Sequence, residues 1–315
     1  MRRRLALLGL AVAVLAVLPV ALSDFRIAQL ATVGAYVIAI LGLDVLAGAS
    51  GQVSLGQGAF IAIGAYTTAI LMAQHGVRDL WTIPLAAGVA GAIGLVVGLP
   101  ALRVPGVYLA LVSFGLAVAL PAALRRFDFT GGSDGITLTG RATVTGHGTG
   151  VLGLTGTQWL YALTWTIAFA LYVLAWWVLG SRFGSSLRAL RENEAAAVSS
   201  GISRAAYTTA AFGISAAFAG AAGALLALQL GRVTPTAFPV QLSLYLLAGA
   251  MAGFFASIRG ALLGALLVLY LPDVVGVLPH VDGRQAGPPS FFLGLLLVVL
   301  MLVLPVVRRA WASTP

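Results

Sequence analysis

Apolar stretches of close to twenty residues follow one another almost from end to end of the sequence, divided by connections that are mostly short. A helix needs ~20 apolar residues to cross the hydrocarbon core. A backbone in lipid must also satisfy its own hydrogen bonds, which suits helices. Such stretches lie near 5–22, 27–47, 57–73, 81–100, 105–124, 159–180, 207–230, 240–256, 260–277 and 289–307. The expected fold is therefore all-α: a polytopic transmembrane helical bundle of about ten helices, formed as one domain over 1–315. With 60% apolar residues, 9% charged residues and a mean hydropathy of +1.02, water is not the main solvent of this chain. The first 23 residues have the basic start and apolar centre of a signal peptide. The length of that run and the spans after it favour an uncleaved first helix.

Charge orients the bundle. With both termini cytoplasmic, Arg2, Arg3, Arg4, Arg103, Arg182, Arg188, Arg191, Arg204, Arg259, Arg308 and Arg309 lie inside. Arg26, Arg78, Arg125, Arg126, Arg141, Arg232 and Arg284 then lie outside, so the bias of eleven to seven follows the positive-inside rule. Two connections are longer than a turn, an extracytoplasmic one at 125–158 and a cytoplasmic one at 181–206. The outer one holds nine glycines and eight threonines in 34 residues and cannot bury a core of its own.

Several chemistries are excluded. All 18 basic residues are arginine, so a phosphate loop ending in Gly-Lys-Ser/Thr is impossible, and ATP or magnesium chemistry belongs to another polypeptide. The arginines are dispersed between apolar spans rather than gathered on a solvated face, which argues against nucleic acid despite a net charge of +9. No cysteine is present for disulfides or zinc thiolates. A serine protease within the membrane needs a histidine at membrane depth, but His75, His147 and His280 map to outer connections. An ion-coupled carrier normally keeps ionisable groups near the bilayer centre, and the candidates Asp44 and Asp273 fall near span ends.

Small residues at helix-packing spacing, Gly94 with Gly98, Gly249 with Gly253 and Gly260 with Gly264, predict close helix approach. In the inner connection, Ser185 to Ser199 has good helix formers and Gly201 as a cap, which predicts one short helix between the sixth and seventh spans. Arg188, Arg191, Glu192 and Glu194 cluster there. Composition equally allows an ordinary solvated loop. Gly48, Gly51, Gly56 and Gly58 should interrupt a helix, with Gln52, Ser54 and Gln57 adding polar groups. Such breaks are tolerated against protein or a water-filled path, and a tight turn between packed helices is the alternative.

The order of four stretches resembles the permeases of high-affinity branched-chain amino acid ABC transporters. RENEAAAVSSGI matches their cytoplasmic coupling loop, LDVLAGASGQVSLGQGAFIAIGAYTTAIL their Gly-Gln-x-Ser-Leu-Gly segment, and LAGAMAGFFASIRGALLGALLVLYLPDVV a looser glycine turn. TGGSDGI resembles the external segment of the M type rather than the H type. The resemblance implies an ATPase-coupling loop at Arg188, Arg191, Glu192, Glu194, Ala196, Ala197 and Gly201. It implies a substrate path near Gln52, Ser54, Gln57, Tyr66, Tyr108 and Ser113, and an external motif at Thr130, Gly131, Gly132, Asp134 and Gly135. In this family the glycine of the coupling loop stands one residue further from the glutamate than in other ABC permeases, so Ala196 and Ala197 are the expected alanine pair. Expected partners are an H-type second permease, two ATP-binding subunits, an extracytoplasmic amino-acid-binding protein and the lipid of a bacterial cell membrane. The chain itself is expected to be no enzyme and to bind no cofactor. Leucine, isoleucine and valine are the implied substrates, with urea, amides or other hydrophobic amino acids as alternatives and a self-sufficient carrier as the rival class.

Overall fold

The computed structural model describes residues 22–99, 106–138, 155–253 and 260–277. The expected span at 289–307, all but the last residue of the span at 5–22, both termini, residues 139–154 of the glycine- and threonine-rich connection, and His147 and His280 lie outside the described residues. The α-helices are α1 Asp24–Leu43, α2 Gln57–His75, α3 Asp79–Gly98, α4 Gly106–Leu124, α5 Gly156–Gly180, α6 Arg182–Glu192, α7 Glu194–Ser199, α8 Arg204–Leu230, α9 Val240–Ala252 and α10 Ala261–Val277. Eight of them coincide with expected spans to within a few residues, while α6 and α7 form the 181–206 connection. Four helical stretches, Asp24–Ala49, Asp79–Gly98, Gly156–Gly180 and Arg204–Leu230, are long and apolar enough to cross a membrane. The chain is a helical transmembrane protein.

Helices that are apolar all round have no amphipathic stripe to say which face turns inward, and lipid supplies no hydrophobic drive between them. Close packing of small residues helps to place them instead. α8 is built largely of alanine and glycine and lies between α1, α2 and α3. Its apolar window is 89% buried, and that of α1 83%, against 17% for α5, where Phe169, Trp176 and Trp177 stand exposed. Backbone meets backbone where α2 crosses α8: a side chain on Gly64 would collide with the Gly220 backbone, and one on Gly223 with the Ile61 carbonyl. The glycine pairs of α9 and α10 face each other, Gly249 against Gly264 and Gly253 against Gly260. Gly94 packs on Ala216 and Gly98 on Phe212 of α8.

One polar clasp crosses three of these helices. Thr32 donates to the Gln229 Oε1 at 3.1 Å, and the Gln229 amide donates to Thr164 at 3.2 Å. Such bonds between transmembrane helices contribute on the order of 1 kcal/mol each.

The all-α fold holds, with one minute antiparallel ladder among the described residues, β1 Ile136–Thr137 on β2 Arg232–Val233, where the connection after α4 lies across the chain that leaves α8. One expectation needs correction. The single helix expected from Ser185 to Ser199 is two helices. Asn193 sits between them in extended backbone (φ −151°, ψ 96°), and its side chain accepts from the Ala196 amide. An asparagine that caps a following turn offers the backbone an alternative to continuing the helix.

Candidate functional site

Three places expected to carry function are described by the structure, and two of them touch. The first is the break between α1 and α2. α1 loosens into a π-helical turn at Asp44–Ala49, after which residues 51–54 have no regular structure and Gly51 adopts φ +73°. The glycines do interrupt the helix as their spacing predicts. α2 then starts inside the protein at Gln57, which is 1% exposed.

A buried helix start leaves N–H groups that need partners, and hydroxyls from other helices supply them. The Leu55 amide donates to Ser113 Oγ of α4 at 2.9 Å, and the Gly58 amide donates to Ser243 Oγ of α9 at 2.9 Å. Ser54 Oγ accepts from the Gly56 amide at 3.3 Å. The Gln57 amide donates to the Ala39 carbonyl at 2.9 Å, and Ser215 Oγ donates to Gln57 Oε1 at 3.4 Å. Ser54, Gln57 and Ser113 are thus brought together, joined by Ser215 and Ser243 on α8 and α9. Neither serine carries a local signal that would have found it, since each matters only through a partner more than 150 residues away in sequence.

Gln52 and Tyr66 stand apart from that cluster. Gln52 Oε1 and the Tyr66 hydroxyl are buried without a hydrogen-bond partner among the described residues. Tyr66 lies nine residues beyond Gln57 on α2, ~13 Å at 1.5 Å per residue. Tyr108 is on α4, with its side chain outside what the structure describes.

The second place is the α6–α7 pair. α6 is amphipathic and buries Gly184 and Leu187, with Arg188 donating back to the Leu179 carbonyl at 2.9 Å. Its neighbour α7 is almost wholly exposed, with Ala197 as its buried residue and Ala196 at the surface. The chain then turns at Gly201 (φ +87°), as its cap-like position predicts. Glu194 pairs with Arg204 at 2.7 Å, which ties the start of α7 to the start of α8, and Phe183 stacks on Tyr207 with centroids 5.5 Å apart. Glu192 and Glu194 are both exposed. The pair meets the α1 break through Arg191, whose Nη1 donates to the Gly48 carbonyl at 2.5 Å.

The third place, Thr130–Gly135, is a compact turn. Thr130 is 1% exposed and donates to the Phe127 carbonyl at 2.6 Å. Gly131, Gly132 and Gly135 all have positive φ, which glycine adopts at no steric cost. Arg232 grips the Asp134 carbonyl through two nitrogens at 3.1 and 2.8 Å, and a side chain on Gly135 would collide with the Val233 carbonyl. The turn is seated on β2 at the opposite end of α8 from the α6–α7 pair.

Residues 26–304 match the family described as branched-chain amino acid transport system / permease component. Over 254 residues the chain is 37% identical to the high-affinity branched-chain amino acid transport system permease protein LivM of Salmonella typhimurium. It is 35% identical over 254 residues to the protein of the same name from Escherichia coli. Each match covers 74% of this chain and 60% of the relative, so the chain spans about 60% of the length of the curated relatives it matches. No solved structure matches it.

Proposed function

The chain belongs to the family of permease components of branched-chain amino acid transport systems, and from that membership we propose that it is an M-type permease subunit of an ABC importer for leucine, isoleucine and valine in a bacterial cell membrane. It forms one transmembrane domain with 181–206 in the cytoplasm and 125–158 outside. An H-type permease, two ATP-binding subunits and an extracytoplasmic binding protein complete the machine, and the ATP is hydrolysed by those subunits.

The observation that carries this reading is the α6–α7 pair. α7 projects from the bundle, exposed at nearly every residue, yet is fixed at its base by the Asn193 cap, the Glu194–Arg204 pair and the packing of α6. A rigid projection is suited to receive force from a soluble motor. The polar groups around the start of α2, namely Gln52, Ser54, Gln57 and Ser113, with Tyr66 and Tyr108 further along, mark the proposed substrate path. Discontinuous helices are where transporters commonly place such sites.

The test is ATP-driven leucine uptake by the reconstituted complex in lipid vesicles. Glu194→Arg is expected to lower uptake at least tenfold with ATPase activity retained, and undiminished uptake removes the coupling role. Because Glu194 also pairs with Arg204, the exchanged pair Glu194→Arg/Arg204→Glu separates two causes. Uptake stays low if the partner ATPase reads the Glu194 carboxylate, and returns if the pair only braces the loop.

A further inference from the structure

α1 ends in a π-helical turn, and the last carbonyls of any helix lack partners within it. The ends of the turn are mostly satisfied locally: the Ser50 amide reaches the Ala47 and Leu46 carbonyls, Ser50 Oγ donates to the Leu46 carbonyl, and the Gly51 amide donates to the Ala47 carbonyl. The Gly48 carbonyl is different. Its donor is Arg191, 143 residues away on α6. The arginine stem lies against Gly51, where an added Cβ would stand 3.0 Å from Arg191 Cγ and where φ is +73°. Among the described residues the one ion pair is Arg204–Glu194, so the Arg191 guanidinium is held by a backbone carbonyl and not by Glu192 or Glu194. Beyond the turn, seven residues, 50–56, lead to the start of α2, where Ser54, Gln57, Ser113, Ser215 and Ser243 converge.

We propose that Arg191 is a positioning residue that latches the α6–α7 pair to the end of α1, so that movement of that pair is passed through residues 50–56 to the hydroxyl-capped start of α2. The cationic side chain completes the cap of a helix C-terminus, where positive charge is favoured. Gly51 is left without a side chain so that the arginine stem can lie across it. A displacement of α6 pulls on the cap of α1, and residues 50–56 alone separate that cap from the start of α2. This role rests on the reading of α6–α7 as the coupling element, while both partners of the latch, Arg191 and the Gly48 carbonyl, lie within this chain.

Two measurements test it with Arg191→Ala and Arg191→Lys. In the isolated chain in lipid nanodiscs, Arg191→Ala is expected to speed amide hydrogen exchange at residues 50–56 about tenfold while exchange across α5 and α8 is unchanged, and Arg191→Lys is expected to recover part of the protection. In the full transporter, Arg191→Ala is expected to lower leucine taken up per ATP hydrolysed about tenfold, with Arg191→Lys intermediate. Unchanged exchange at 50–56, unchanged uptake per ATP, or a general loss of protection throughout the chain each overturns the latch. If the wild-type transporter takes up no branched-chain amino acid, the functional reading fails and the exchange measurement alone decides the latch.

Discussion

At the scale of single residues, the glycines of this chain separate into two kinds. Gly64, Gly223, Gly253 and Gly260 are places where the backbone of one helix presses on another, whereas Gly88 has nothing within 4 Å of an added Cβ. Overfilling a packed contact costs about 1–3 kcal/mol. Gly64→Ala is therefore expected to lower the temperature at which the purified protein loses its monodisperse state, and Gly88→Ala to leave it unchanged; equal behaviour of the two removes the close-contact account. The serines divide in the same way. Ser113 accepts from the Leu55 N–H just before α2 and Ser243 from the Gly58 N–H in its first turn, while Ser199 and Ser200 serve local turns at the surface. The family resemblance points to Ser113 as part of an implied substrate path, but Ser215 and Ser243 look like any small polar residue in an apolar span. Their importance comes from partners that only the fold brings within reach.

At the scale of elements, spans were legible and joints only in part. Length and hydropathy place α1, α2, α3, α4, α5, α8, α9 and α10 to within a few residues because a helix in lipid must be long and apolar. The break after Asp44 was expected from its glycines, yet its π geometry and its bond to Arg191 were not. The break at Asn193 was missed, since helix propensity summed over Ser185 to Ser199 outweighs one asparagine until that side chain is seen accepting from the Ala196 amide. Removing such a cap costs about 1 kcal/mol. Asn193→Ala is accordingly expected to raise hydrogen exchange over α7 about fivefold and leave α6 protected, while unchanged exchange would show that the cap is dispensable. The TGGSDG turn was recognised as a motif, and the structure adds its seat, the two bonds from Arg232 to the Asp134 carbonyl.

At the scale of the whole molecule, the arrangement is an inner group of helices, α1, α2 and the alanine- and glycine-rich α8, with α3 and α5 presenting large apolar side chains outward. Trp81, Trp176 and Trp177 are about two-thirds exposed, as befits side chains against lipid. Their fluorescence is expected to be quenched by brominated lipid in vesicles, and Trp176→Phe/Trp177→Phe to remove much of the quenching; a signal insensitive to brominated lipid means that this face is covered by protein. What the sequence by itself determined is the solvent of the protein, the number and approximate limits of the described spans, the family, and the absence of a lysine-based nucleotide site. Each follows from properties that act locally or additively: apolar length, charge count and ordered motifs. Which helices lie inside, which hydroxyls cap α2, and that Arg191 reaches Gly48 were decided only by the tertiary structure. Helices of nearly uniform hydropathy carry no stripe to order them, so their neighbours are chosen by the fit of small residues and by hydrogen bonds across long stretches of chain.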